Sequence, residues 1–275
     1  MDKQQKNEAS GLGLGLRFPH FDEILKKDHN VPWFEVIADD FLEHGPHWDK
    51  LSLLRQDYPI VLHSIGMNIG GVDAFDESYL KKLKNIYHFF QPEWISDHLC
   101  WSSHAGSFHH DLLPIPKTAE ALELVVSRVN YLQDYFKQTL VLENITRYID
   151  FSFPEMDEIE FIKELTSQTG CKLLLDITNV IINHKNRNMD YHQYFNNFPM
   201  ESVQQFHIAG GLKNKEDLWI DSHTEEVKSE DVVVLKKILS SWPNISGVIE
   251  RDGNLPSFSE LERERIEVEA IVNGI

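Results

Sequence analysis

Residues 139–177 read TLVLENITRYIDFSFPEMDEIEFIKELTSQTGCKLLLDI, and their pattern decides the fold. Two short apolar runs, TLVLEN at 139–144 and KLLLDI at 172–177, flank a stretch from Met156 to Gln168 in which apolar residues recur at three- and four-residue spacing among charges. The runs have the continuity of strands buried on both faces, and the spacing between them predicts an amphipathic helix. Strand, helix and next strand make one unit of a parallel sheet.

The same alternation extends in both directions. Upstream lie GLGLGL at 11–16, WFEVIA at 33–38, IVLHSI at 60–65 and WISDHL at 94–99; downstream lie VQQFHIA at 203–209 and SGVIER at 246–251. Helical spacing fills Glu77 to Phe90, Ala119 to Phe136 and Asp231 to Leu239. Eight strands in 275 residues fit a (β/α)₈ barrel, which takes about 250 residues. An open doubly wound sheet alternates in the same way, but the count of eight favours closure. No low-complexity linker interrupts the series, so residues 1–275 are expected to form one barrel domain, with the polar residues 1–10 poorly ordered. GLGLGL lacks the spacing of a dinucleotide fingerprint and reads as a first strand with small inward residues.

Composition narrows the function. Hydrophobic content is 41%, and no apolar run approaches the roughly 20 residues of a membrane span. The first residues, MDKQQKNEAS, lack the apolar core of a secretory signal, so a cytoplasmic protein without membrane contact is expected. A formal net charge of −18 argues against nucleic acid, which is bound through clustered Lys and Arg. Cys100 and Cys171 match neither a disulfide framework nor a thiolate metal motif.

The ionisable residues recur at one end of the predicted strands: Glu35, His63, Asp97 with His98, Glu143, Asp176, His207 and Glu250. Charges in buried parallel strands are costly unless something pairs with them. In a barrel the carboxyl ends of all strands meet at one mouth, where active sites lie. Several histidines and carboxylates without cysteine suit iron, manganese or zinc. WIDSH, after the seventh strand, adds Asp221 and His223 at i and i+2, which project together from an extended segment. The candidates exceed the three or four protein ligands of one ion, so at least two ions are expected, with carboxylates such as Glu143 bridging them. Glu35 sits within its run and is assigned to pairing with a cation such as Arg17. Arg17, Arg147 and Arg251 follow strand ends and are possible substrate contacts, as are His109 and His110 with Asp111 in the loop after the fourth strand. His29, His44, His47, His88 and His192 read as solvated, and His184 as part of an exposed loop.

HSIGMNIGG, SDHLCW, HHDLLPIP, VLENITRYI, LLLDITNV, FHIAGG, DSHTEEV and IERDGNLPSF, in this order from about Gly11 to Leu261, resemble the multinuclear non-heme iron-dependent oxidative enzymes, the family of the methanobactin-biosynthesis oxidase. The resemblance implies a xylose-isomerase-like barrel holding two or three irons. It also implies O₂-dependent remodelling of cysteine or other residues in ribosomally made peptides, with the precursor often presented by a separate partner protein. Carried over by motif, the implied iron ligands are His63, His98, Glu143, Asp176, His207, Asp221, His223 and Glu250, with Asn144 and Asn179 close by. Asp39 and Asp40 depart from the family's usual Glu-Asn after the second strand. Because iron supplies the redox power, no nicotinamide or flavin is expected. A zinc- or manganese-dependent isomerase or phosphoester hydrolase on the same barrel is the alternative activity, and a non-catalytic metal-binding scaffold is a third reading.

Overall fold

A computed structural model describes residues 8–274. Eight strands fall on the eight predicted runs: β1 (Leu12–Leu16), β2 (Phe34–Ile37), β3 (Ile60–His63), β4 (Ile95–His98), β7 (Leu140–Glu143), β8 (Lys172–Asp176), β9 (Val203–Lys213) and β11 (Ser246–Glu250). Three more form excursions: β5 (Trp101–His104) and β6 (Ser107–Leu113) make a hairpin after β4, and β10 (Trp219–Glu225) folds back on β9. The eight run parallel in chain order, β8 pairs with β9, and β11 pairs with β1, so the sheet closes into a barrel and the open alternative is excluded.

Helices α1 (Phe21–Ile24), α2 (Pro46–Asp57), α3 (Glu77–Phe90), α4 (Ala119–Phe136), α5 (Glu158–Thr169), α6 (Ile177–Arg187), α7 (Tyr191–Asn197), α8 (Ser229–Ser241) and α9 (Phe258–Asn273) occupy the connections. Their ends follow local chemistry. The Asp157 carboxylate caps the first turn of α5, and Gly170, at φ 67°, ends it.

Period-two alternation along the strands separates two apolar groups. Leu14, Leu62, Leu142, Leu175, Ile208 and Ile249 pack outward against the helices within the main core. Val61, Val141, Leu174 and Val248 form a separate cluster with Trp33, Trp94 and Ala9, which fills the lower end of the barrel. The next inward residue on each of these four strands, two positions on, is His63, Glu143, Asp176 or Glu250. An apolar floor and a polar mouth thus come from one alternation.

Gly13 makes room for this floor, since a Cβ there would lie 2.7 Å from the Trp33 indole. Gly13→Val is expected to cost about 1–3 kcal/mol through overpacking, read as a lower urea midpoint with an unchanged slope. Part of the expectation for the amino terminus is corrected. Residues 1–7 lie outside the described residues, but Ala9 is buried on the barrel floor and its carbonyl accepts a hydrogen bond from Ser246 Oγ at 2.9 Å.

Candidate metal centre

The strand ends bring seven of the eight predicted ligands into three groups of donor atoms, each within 4.8 Å. His63, His98 and Glu143 form the first; Glu143, Asp176, His207 and Glu250 the second; His223, Glu250 and Asp252 the third. Asp221, the eighth, adjoins the third group, its Oδ1 lying 2.7 Å from His223 Nε2. Glu143 belongs to two groups and Glu250 to two, so the three are joined through shared carboxylates.

In the first group, His63 Nε2 and His98 Nε2 are 3.3 Å apart, and each lies 3.3–3.4 Å from Glu143 Oε2. Bonds of about 2.0–2.2 Å to a central ion would space neighbouring donors roughly 2.8–3.6 Å apart, so the triangle has the dimensions of a ligand set. The other oxygen of Glu143, Oε1, lies 3.6 Å from His207 Nδ1, which is 3.0 Å from Glu250 Oε2.

The hydrogen-bond ledger points the same way. Buried polar atoms are nearly always paired, yet Glu143 Oε2 and Asp176 Oδ2 have no hydrogen-bond partner, and His207 Nδ1, Asp221 Oδ1 and His223 Nε2 face other members of the cluster. These atoms converge on one place, and cations there would satisfy them together. Nitrogen and carboxylate donors without sulfur fit iron, manganese or zinc.

Charge acts accordingly. Burial pushes the Asp176 carboxyl well above its ordinary value, and the charges of Asp221 and Glu143 add to the effect. Burial opposes ionisation of Glu250 as well, but His207 and His223 overcome it and hold that carboxyl well below its usual range.

Neighbouring groups aim the candidate ligands. His63 Nδ1 lies 2.8 Å from Ser96 Oγ, whose hydroxyl donates to the Leu62 carbonyl, so Nδ1 carries the proton and Nε2 is free to ligate. Both arms of the Asn144 amide bind the backbone of Asp176 at 2.9 Å, and the Asn179 backbone N–H donates to Asp176 Oδ1 at 2.7 Å. The two asparagines therefore brace Asp176.

Glu35 is corrected in its partner. It does not pair with Arg17; its carboxylate lies 2.9–3.0 Å from His207 Nε2 and accepts from Gln205 Nε2, whose Oε1 accepts from Trp94 Nε1. It leaves His207 Nδ1 facing the cluster. Glu35→Gln is expected to weaken metal affinity by about 10–100-fold while the barrel stays folded, read by competition with a chromophoric chelator.

Asp221 and His223 meet by a different route from the predicted straight segment. The β9–β10 register slips between Ile220 and Glu225, and His223 takes φ 49°, so a bulge turns both side chains toward the mouth.

Asp252, absent from the sequence-based set, lies 2.8 Å from His223 Nδ1, and its Oδ1 accepts from Arg17 Nε at 3.0 Å. Arg17 is thus a buried clamp on Asp252. Arg251 turns away to Glu264 at 2.7 Å, and Arg147 lies outside the mouth, paired with Glu158 at 3.2 Å. Asp97 also points aside, accepting from Ser64 Oγ and the Met67 N–H; burial raises its carboxyl to about 7. Asp39 braces the same loop, accepting from the Ile65 N–H at 2.9 Å. His29 stacks on Tyr58 and His47 on Phe18, so neither is simply solvated.

Above the cluster opens a cavity of about 400 Å³, lined by His63, His98, Glu143, Asp221, His223 and Glu250. His109 and His110 on the β6 strand border it, as do Phe108 and Tyr148, which sequence patterning did not single out.

Fold and site together define a xylose-isomerase-like (β/α)₈ barrel with a buried histidine and carboxylate cluster able to hold metal ions. Solved structures of the same fold include the apo form of the 3-keto-D-glucoside 4-epimerase YcjR from E. coli, at 13% identity and TM-score 0.60, covering 97% of this chain and 100% of that one. Another is endonuclease IV from Thermus thermophilus, at 14% and 0.59, covering 96% and 99%. At such identity they establish the fold alone.

The family is narrower. The chain belongs to the RiPP precursor modification enzyme family MbnB/TglH/ChrH, whose profile matches residues 11–273. A UPF0276 protein of Anaeromyxobacter sp. (strain Fw109-5) is 37% identical over 264 residues, covering 94% of this chain and 93% of that protein. One from Caulobacter vibrioides (strain NA1000 / CB15N) is 35% identical over 256 residues, covering 92% and 91%. Among the described residues no helix is long and apolar enough to cross a membrane.

Proposed function

We propose that this chain is a multinuclear non-heme iron enzyme that uses O₂ to modify a cysteine, or another residue, of a ribosomally made peptide. The observation that carries the reading is the linked set of three donor groups, joined by Glu143 and Glu250, in a chain of this peptide-modifying family. Iron bound there supplies one-electron redox chemistry and Lewis acidity, which the side chains of this chain lack.

The residues divide the remaining work. His63, His98, Glu143, Asp176, His207 and Glu250 hold the inner positions, and Glu35, Ser96, Asn144 and Asn179 fix their orientation. Asp221, His223 and Asp252 hold the outer position, where Asp252 is 41% exposed and the cluster opens to the cavity. A substrate thiol reaches the cluster from this side. His109 and His110 border its path and offer ring nitrogens to the peptide. The precursor arrives as an extended segment, presented by a separate partner protein.

The donor set also admits zinc or manganese, which would serve an isomerase or phosphoester hydrolase. Protein purified without oxygen, mixed with a cysteine-bearing peptide and then exposed to air, separates the readings. Oxygen uptake that depends on the peptide, with a mass change at its cysteine, is expected. Absence of uptake with fully iron-loaded protein across precursor peptides encoded beside its gene would overturn the oxidase reading.

A further inference from the structure

Beside the metal mouth lies a roomier groove, of about 770 Å³, between α5 and α7. That volume lies in the range of pockets that bury a drug-sized ligand, roughly 300–1,000 Å³. Arg147, Asp150 and Met189 line both this groove and a smaller cavity of about 470 Å³, and Tyr148 lines both the smaller cavity and the metal mouth. The loop after β7 is the shared wall. It leaves the barrel at the ligand Glu143 and carries Arg147, Tyr148 and Asp150 within seven residues. The three cavities therefore adjoin one another in a track along Tyr148 and Arg147, from the metal cluster to the groove.

We infer that this track holds the peptide residues flanking the modified position, in extended conformation, and that it selects a basic side chain among them. The inference rests on the reading of the substrate as a peptide. The groove has three kinds of surface, and each suits one part of such a chain. Ile115, Met156 and Ile159 give an apolar floor for alternate side chains. Gln193 and Asn197, one turn apart on α7, offer carboxamides that both donate to and accept from a peptide backbone.

Asp157, Glu160 and Glu164 lie at i, i+3 and i+7 on and just before α5, so their carboxylates share the opposite wall, and all three are exposed. Of the cations near them, Arg147 pairs with Glu158 and Asp150 and Lys117 packs over the Phe161 ring, while Lys163 stands exposed between Glu160 and Glu164. The lining carries six carboxylates against three cationic side chains, an imbalance that attracts a Lys or Arg of the peptide and repels an acidic one. Within the groove, the buried Arg147 Nε has no hydrogen-bond partner, and a peptide carbonyl would satisfy it.

The test uses two fluorescein-labelled hexapeptides, Cys-Gly-Leu-Lys-Leu-Lys and the same peptide with Glu in place of both Lys, titrated with metal-loaded protein and read by fluorescence anisotropy. The Lys peptide is expected to bind at least tenfold more tightly. Glu160→Lys with Glu164→Lys should erase or reverse the preference while metal content and thermal unfolding stay as in the parent. Gln193→Ala with Asn197→Ala should weaken both peptides and leave the preference intact.

Equal binding of the two peptides, binding of neither, or an unchanged preference in the charge-reversed protein would overturn the inference. The metal centre and its oxygen uptake are measured separately, so failure here leaves the proposed chemistry standing. Conversely, a charge-dependent preference for the Lys peptide in protein that consumes no oxygen would retain the groove and remove the oxidase.

Discussion

Glu143→Ala is expected to remove metal from the inner two of the three donor groups and to lower kcat by roughly 10³ or more, because bound metal ions supply several kcal/mol of transition-state stabilisation. Glu143 is the carboxylate that the first two groups share. Its Oε2 completes the triangle with His63 and His98, while Oε1 faces His207 in the second group. With it gone, the first group retains two histidines and the second loses a bridge, leaving about one ion per chain held by His223, Glu250 and Asp252. Glu143→Gln keeps the shape but offers a neutral amide, and should lose nearly as much. Metal analysis together with turnover checks this. A Glu143→Ala protein that keeps the parent's full metal content would show that the carboxylate is not a bridge.

The second large effect runs in opposite directions for metal binding and for stability. In metal-free protein Asp176 is buried, with the charges of Asp221 and Glu143 nearby, and its carboxyl is pushed well above the ordinary value. A carboxyl raised in the folded state binds more protons there than in the unfolded chain. Stability therefore falls as pH rises from the unfolded value towards the folded one.

Asp176→Asn removes that charge. It retains an oxygen for the Asn179 N–H, since Asn caps helices as well as Asp does. Metal-free Asp176→Asn is thus expected to melt higher than the metal-free parent, by about 2–4 °C for each kcal/mol relieved, and the gap should widen as pH rises above the ordinary carboxylate range. The same variant should bind less metal and lose activity. Melting in excess chelator across that pH range reads the first effect, and metal titration reads the second. A metal-free variant that melts lower than the parent would contradict the account.

These effects depend on residues that the linear pattern exposes unevenly. Each barrel strand is a short apolar run, and the candidate ligands Glu143, Asp176 and Glu250 sit two places beyond an inward apolar residue, so alternation alone aims them at the mouth. Helices such as Glu77–Phe90 and Ala119–Phe136 were equally legible, because their apolar spacing and caps are local. The same alternation explains Asp97. Adjacent to His98, it cannot face inward as well, and it serves the loop after β3 instead.

What stayed hidden depends on long-range contacts. Glu35 meets His207 across 172 positions, and nothing near either residue announces the pairing. Asp252 lies in an irregular segment with no period to place it, and the Arg17 clamp, 235 positions away, together with its own N–H donating to the His223 carbonyl at 2.9 Å, fixes it beside His223. Arg147 and Arg251 resembled mouth residues because they follow strands. Beyond a strand end, however, direction is set by the partner, and Glu158 and Glu264 draw them off. The β5–β6 hairpin, too, offered only a short, mostly polar and exposed stretch, SFHH at 107–110, which looks the same in a strand as in an exposed loop.

The central claim is that the linked carboxylates and histidines at the barrel mouth hold iron. It is tested most directly by metal analysis and Mössbauer spectroscopy of protein made in ⁵⁷Fe-supplemented cells and purified without oxygen. The account predicts about two or three irons per chain, as three donor groups sharing Glu143 and Glu250 allow, with spectra of histidine- and carboxylate-bound high-spin iron. Zinc in those positions with no iron, or a single iron whose spectrum is unchanged by Glu143→Ala, would contradict it.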